Sequence, residues 1–289
     1  MGGGKPTLAQ HMKKAIARLE ELSGVVNLVI EAVDARAPRA TRCDFIARVI
    51  GGCSVATVFT KADLADPAAT KAWLKHFHSQ GLTAVIAPGK SNKNREGFTQ
   101  ELLKLSAVDT PHHKGARAVV VGLPNVGKST ITNFLIGRRS ARVGATPGVT
   151  RGLQLVRVSP DFMLIDTPGI VSPRVARKDQ GIVLALAGCL QDNTYDHEEA
   201  VLYLLRTTLP LYADKFTNFY GMKCATTDPM EFCEAVAVRR GFLLKGGAPD
   251  IDRAQRLITH DFAAGRIAGI TLESVDGQPQ DKKKPDSHK

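Results

Sequence analysis

The sequence predicts an α/β fold, with a mainly parallel sheet covered by helices on both faces and a smaller all-helical domain after it. Three observations lead there. Apolar strand-like runs alternate with helix-like patterns as far as Asp166. A glycine-rich loop, "GLPNVGKST" at residues 122–130, stands between a strand and a helix. Beyond about Arg177 strand character ends, and segments of helical period punctuated by Gly and Pro take over.

Taken in order, residues 8–22 read as a helix with Met12, Ile16 and Leu19 on one face. "VVNLVIEAVDAR" is a buried strand running out into a loop at Asp34, "FIARVI" a short helix, and "SVATVFTKAD" a second strand ending near Thr60. "AATKAWLKHFHSQG" is a helix stopped by Gly81, "LTAVIAPG" a third strand, and "REGFTQELLKLS" another helix. A polar connector, "AVDTPHHKGAR", leads to the strand "AVVV" and, past the loop, to the helix "STITNFLIG", which buries Ile131, Phe134 and Leu135. "GLQLVRVSPDFMLIDTPG" is a hairpin whose second strand ends at Asp166. "GIVLALAGCL", "EEAVLYLLRTTLPLYADKF", "PMEFCEAVAVRRG" and "DIDRAQRLITHDFAAGRI" form the helical domain. In it Tyr212, Phe216, Phe219 and Tyr220 recur at helical spacing and read as core. The polar end has the composition of a disordered tail.

Composition limits the function. The 289 residues carry 39 Lys and Arg against 28 Asp and Glu, a formal charge of +11. That suits a polyanion such as nucleic acid, and equally suits solvated lysines. The five cysteines form no CxxC pair, which favours reduced thiols in a cytosol-like compartment over a disulfide framework or a zinc site. No apolar run nears the length of a bilayer span, and no apolar block precedes a small-residue cleavage site, so neither a membrane partner nor secretion is expected.

Gly122, Gly127, Lys128 and Ser129 fit G-x-x-x-x-G-K-[ST]. Glycines let the backbone curl so that the N–H groups of Val126, Gly127, Lys128, Ser129 and Thr130 point at phosphate oxygens beside the positive end of a helix. Lys128 reaches the β- and γ-phosphates, and the Ser129 hydroxyl suits Mg²⁺. In "LIDTPG", Asp166 at a strand end suits the same ion, and the Gly169 N–H can bond the γ-phosphate. Between them "GATPGVTRG" offers Thr146 and Thr150, with Thr150 favoured to close over the metal; an ordinary surface loop is the competing reading. "TKAD" at residues 60–63 pairs Lys61 with Asp63 at a strand end. The Asp63 carboxylate can accept from guanine N1–H and the 2-amino group, which adenine does not offer, while Lys61 lays its stem over the base. Alone, the tetrapeptide would read as a helix cap beside a surface lysine.

The guanine-reading piece precedes the phosphate-reading piece, reversing the usual order. In this the chain resembles the circularly permuted GTPases, and among them the ribosome biogenesis GTPase A family with its mitochondrial relatives. The matching stretches are "HMKKA", "DARAP", "TKADL", "GLPNVGKST", "TPGVT", "DTPGI", "VRRGFLLKGG" and "DIDRAQRLITHDFAAGRIAGITLE". The resemblance implies a permuted P-loop GTPase domain over residues 1–176, a helical domain contacting ribosomal RNA over 177–274, and a tail over 275–289. It implies GTP hydrolysis in assembly of the large ribosomal subunit, by a monomer in the cytoplasm or, in a eukaryote, the mitochondrial matrix. Loss of the γ-phosphate at Gly169 is expected to reorient the helical domain. The competing reading is a GTP-dependent binding module or scaffold with weak hydrolysis and a non-ribosomal partner.

The resemblance also frames the departures. Ile170 stands where many GTPases keep a water-orienting Gln, so the catalytic group comes from elsewhere or turnover is slow without the ribosome. His11 in "HMKKA" matches the family's implicated histidine, although "TLAQ" precedes it in place of an aromatic–Pro–Gly pattern; a surface histidine at a helix start is the other reading. Asn125 either resembles the residue by which K⁺-activated GTPases hold potassium, or stabilises its own loop. Thr60 replaces the usual Asn, which is expected to remove hydrogen bonds to base and loop. Ala87 is assigned to the base-binding loop only by its place after a strand. His112, His113 and the other histidines read as surface, and Lys282 to Lys284 as solvated tail.

Overall fold

The computed structural model describes residues 24–89, 94–106, 115–137, 142–143, 154–166, 178–222 and 226–276, together with positions 17 and 20–22. The chain divides into two compact units. One comprises Met1–Asp34, Thr41–Ala62 and Leu74–Arg174; the other comprises Ala35–Ala40, Asp63–Trp73 and Val175–Lys289.

The first unit is built on seven strands: β1 (Leu28–Asp34), β2 (Ser54–Thr60), β3 (Thr83–Ile86), β4 (Ala116–Val121), β5 (Arg142–Val143), β6 (Gln154–Ser159) and β7 (Phe162–Asp166). Their spatial order is β3-β2-β1-β4-β7-β6-β5. β1 pairs in parallel with β2 and β4, β2 with β3, and β4 with β7. β6 and β7 form the expected antiparallel hairpin, with β5 added at the edge. β1 lies mid-sheet and is buried along its whole length, which explains its continuous apolar run. Even its acidic residues are enclosed. Glu31 accepts from the Cys43 N–H at 2.6 Å and from the Thr57 hydroxyl at 3.2 Å, yet burial pushes its carboxyl above the usual range.

Between these strands the described residues include the helices α1 (Ile46–Val49), α2 (Pro67–Ser79), α3 (Arg95–Leu105) and α4 (Lys128–Ile136); the first half of α2, to Trp73, belongs to the second unit. Asn94 starts α3, its side chain accepting from the Gly97 N–H. Ile131 and Leu135 are buried under α4, whereas Phe134 is only half-buried, edge-on to Phe98 at 5.9 Å. Of the expected first helix, the described positions 17, 20 and 21 are helical.

The second unit is helical: α5 (Lys178–Leu186), a 3₁₀ turn (Asp192–Thr194), α6 (His197–Tyr220), α7 (Pro229–Arg240) and α8 (Ile251–Ala263). Asp196, Asp228 and Asp250 cap α6, α7 and α8, each accepting from first-turn N–H groups. Such a cap contributes about 1 kcal/mol. Pro210 lies inside α6, and two residues on Tyr212 leaves helical geometry at φ −129, ψ 23. Tyr212, Phe216 and Tyr220 are core as expected, while Phe219 is half-buried.

Two short segments from early in the chain belong to this unit. Arg36 is fully buried; its guanidinium donates to the carbonyls of Phe262 (2.7 Å) and Ala187 (3.3 Å) and lies over the Phe262 ring. Those carbonyls sit in the last turn of α8 and just past α5, where the negative helix end favours a cation. Leu64 accepts from the Gly269 and Ile270 N–H groups, and Trp73 donates to Glu273 at 3.0 Å. Gly265, at φ +73, is close to Leu64: a Cβ there would lie 2.4 Å from the leucine methyl.

Candidate functional site

Parallel pairing gathers the carboxyl ends of β1, β2, β4 and β7 on one edge of the sheet, the edge at which such folds bind ligands. The glycine-rich loop leaves β4 there. Gly122 has φ +144, and a Cβ would lie 2.6 Å from the Ala32 carbonyl oxygen of β1, so a side chain is excluded. Asn125 at φ +58 and Gly127 at φ +102 take left-handed conformations, and the buried Val126 between them anchors the loop. α4 then starts at Lys128 with no side-chain cap on Gly127 and no acidic residue in its first turn. The positive helix end is left to the backbone, which suits a polyphosphate. Lys128 Nζ donates to the Leu123 carbonyl at 2.6 Å, so its ammonium is held over its own loop; Ser129 and Thr130 are exposed.

β2 brings the second piece alongside. Thr60, at its end, is buried; its hydroxyl donates to the Val33 carbonyl of β1 at 3.0 Å and shares a short hydrogen bond with the Val126 carbonyl of the glycine-rich loop. The expectation that Thr in place of Asn loses contact with the loop is therefore corrected, because the shorter hydroxyl reaches it directly. Lys61 sits at φ +53 with its ammonium 2.8 Å from Asp34, a fully buried carboxylate at the end of β1. The Asp34 N–H donates to the Thr41 hydroxyl at 3.0 Å. Asp63 is exposed. Ala87 follows β3 and is half-buried, its N–H donating to the Phe59 carbonyl at 2.8 Å.

The roles of Asp34 and Thr60 as fasteners are not written in the motif residues themselves. The "DARAP" stretch signals something unusual at Asp34, but pattern alone does not name Lys61 as its partner. The backbone of Asp166 closes β7 at the same sheet edge, opposite Gln154 of β6. Its side chain, and His11, Thr146, Thr150, Gly169 and Ile170, lie outside the described residues, as does most of the polar connector.

A phosphate loop after β4, in a sheet where the lysine–aspartate pair follows β2 earlier in the sequence, defines a circularly permuted P-loop GTPase. A family model described as 50S ribosome-binding GTPase matches residues 117–217. Ribosome biogenesis GTPase A of Priestia megaterium is 31% identical over 271 residues, covering 91% of this chain and 94% of that protein. Its counterpart in Thermotoga maritima is 33% identical over 266 residues, covering 91% and 92%. The crystal structure of GNP-bound YlqF from T. maritima superposes with a TM-score of 0.63 at 29% identity, covering 93% of this chain and 99% of that one. The chain belongs to the ribosome biogenesis GTPase A family, binds guanine nucleotide and hydrolyses GTP.

Proposed function

We infer that this chain uses GTP binding and hydrolysis to time its association with, and release from, precursors of the large ribosomal subunit. The observation that carries this reading is the Thr60 hydroxyl on the Val126 carbonyl, which joins the base-reading strand end to the phosphate loop across 66 residues of sequence. It supports one guanosine triphosphate being read by both pieces, in a chain similar over nearly its whole length to ribosome biogenesis GTPases.

In this reading Asp63 selects guanine, Lys61 and Ala87 bound the base, and residues 1–176 form the GTPase domain. Val126, Gly127, Lys128, Ser129 and Thr130 embrace the phosphates. Water attacks the γ-phosphate while Lys128, the loop amides and the Gly169 N–H neutralise the developing charge; His11 is the candidate for orienting that water. The exposed Ser129 hydroxyl at an uncapped helix end supplies an oxygen donor of the hard type Mg²⁺ prefers. Ser129, Thr150 and Asp166 would hold Mg²⁺, which supplies neutralisation of the β- and γ-phosphate oxygens when bound. Asn125, already in a strained left-handed pose on the loop, is the residue to hold K⁺. Residues 177–274 contact ribosomal RNA, and the protein works as a monomer in the cytoplasm or mitochondrial matrix.

The test is GTP turnover with and without purified large subunits, in K⁺ and in Na⁺ buffer, alongside co-sedimentation. Stimulation by the subunit and GTP-dependent co-sedimentation are expected. Unstimulated turnover with no co-sedimentation would instead indicate a scaffold or a non-ribosomal partner.

A further inference from the structure

A second cleft, of about 560 Å³, lies wholly within the helical unit and is unused by GTP hydrolysis. Arg253, Arg256 and His260 of α8 line it. Their spacing of three and four puts them on one exposed helix face, opposite the buried Ala254, Ile258 and Phe262. Phe242 lines the same cleft, and the Arg253 guanidinium lies over its ring at 4.1 Å. From the start of α6 comes His197, whose Nδ1 is buried and, among the described residues, has no hydrogen-bond partner. A native structure rarely leaves such an atom unsatisfied without water or ligand to fill the role. Asp192 is the cleft's acidic group, already accepting from the Tyr195 hydroxyl at 3.3 Å.

These features match one ligand chemistry. The cations outnumber the acid, which calls for an anion. The aromatic–guanidinium stack offers a plane, which a carboxylate does not use and a nucleobase does. The volume falls in the range that encloses a small organic ligand. Asp192 can accept from a base amino group, and His197 can donate or accept at its free nitrogen. Exposed Arg239, Arg240 and Lys245 flank Phe242 in sequence, supplying more positive charge than one phosphate needs.

We propose that this cleft binds one unstacked nucleotide of a single-stranded RNA, with the base on the Arg253–Phe242 stack and the phosphate on Arg256 and His260. The proposal deepens the reading of the helical unit as an RNA-contacting domain and rests on it. A free mononucleotide has the same chemistry, and the test separates the two sources.

The experiment uses the full chain saturated with GDP. Anisotropy of a labelled nine-nucleotide RNA is measured, with uridine monophosphate as competitor. The Arg253→Ala/Arg256→Ala variant is expected to bind at least about tenfold more weakly. Arg253→Lys, which keeps the charge but loses the plane, loses about threefold or more. Arg206→Ala, an exposed arginine on α6, stays within about twofold. Thermal melting checks that each variant is folded, and photocrosslinking of thiouridine RNA is expected within residues 242–260. If wild type binds RNA and the double variant matches the Arg206→Ala control, the cleft is not the site, and the RNA reading survives. If wild type binds no RNA, both fall together. If the monophosphate binds as tightly as the oligomer, assignment to a strand is overturned in favour of a free nucleotide.

Discussion

The contact most open to a decisive perturbation is the Thr60 hydroxyl. Thr60→Val keeps the shape and branching of the side chain and deletes one oxygen. Thr60 is 3% exposed, so water cannot replace the lost group without repacking. Two carbonyls lose their shared donor, that of Val33 on β1 and that of Val126 in the phosphate loop. A hydroxyl has one proton and satisfies one of them at a time, so the cost is one buried acceptor's worth, about 1–2 kcal/mol. It falls on the loop more than on the sheet, because β1 stays fixed by its pairing with β2 and β4. Titration with a fluorescent GDP analogue should then show affinity weakened about 5- to 30-fold. Preference for guanine over adenine should be unchanged, since Asp63, the proposed guanine reader, is untouched. Thr60→Asn, restoring the carboxamide usual in the family, should bind GDP at least as well as wild type. Affinity of Thr60→Val within twofold of wild type would refute the claim that this hydroxyl holds the loop.

Asp63→Asn should weaken GTP by about a hundredfold or more and improve xanthosine triphosphate, whose 2-oxo group accepts from the new amide; competition binding reads both. Arg36→Ala should destabilise the helical unit by about 3–5 kcal/mol, by opening a cavity and removing the guanidinium's bonds to the Phe262 and Ala187 carbonyls; faster proteolysis and lost amide-exchange protection in α5 and α8 would register it. Glu31 has its folded pKa raised, chiefly by burial, so the folded state holds that proton more tightly than the unfolded chain does. Its contribution is therefore most favourable at low pH and is lost as pH rises from the unfolded carboxylate range through the folded value. Denaturation of Glu31→Gln across that window should show a flatter pH dependence than wild type.

Much of this was legible in the chain. The alternation of strands and helices, the hairpin ending at Asp166 and the four later helices all emerge from local period and punctuation, because each is decided within a dozen residues. The Asp caps of α6, α7 and α8 are equally local. What was not legible is long-range. "DARAP" reads only as the start of a loop at Asp34, yet Arg36 is fully buried against carbonyls 151 and 226 residues away. No periodicity encodes that, since an arginine in a loop is ordinarily solvated and its burial depends on two helix ends arriving from elsewhere. Thr60 misled in the opposite direction. Comparison with Asn suggested a lost contact, and only the approach of β2 to the loop, where a Gly127 Cβ would lie 3.1 Å from the Thr60 Cβ, shows why a short hydroxyl suffices. The two-residue β5 is too short to register in any pattern.

The two ends of the nucleotide site differ in how much they must rearrange, and this bears on what the permutation preserves. At the base-reading end, Lys61 is held in a left-handed conformation by a fully buried carboxylate across the β1–β2 pair. Releasing that ammonium would break an ion pair with a fully buried carboxylate, a cost of several kcal/mol, so the lysine head stays put and only its stem is left for the proposed base contact. Ordering this segment is part of folding rather than of binding, which lowers the entropy that guanine recognition must overcome. At the phosphate end Lys128 donates to a neutral carbonyl of its own loop. A charge-assisted bond is roughly twice as strong as a neutral one, so a phosphate is a stronger acceptor for that ammonium than the loop carbonyl. Recognition of the base is thus largely prepaid by strands joined through ordinary parallel pairing, and the phosphates drive the change. Moving the base-reading strands to the front of the chain leaves that division intact, because Asp34, Lys61, Thr60 and Val126 meet through the sheet and not through their order in the sequence.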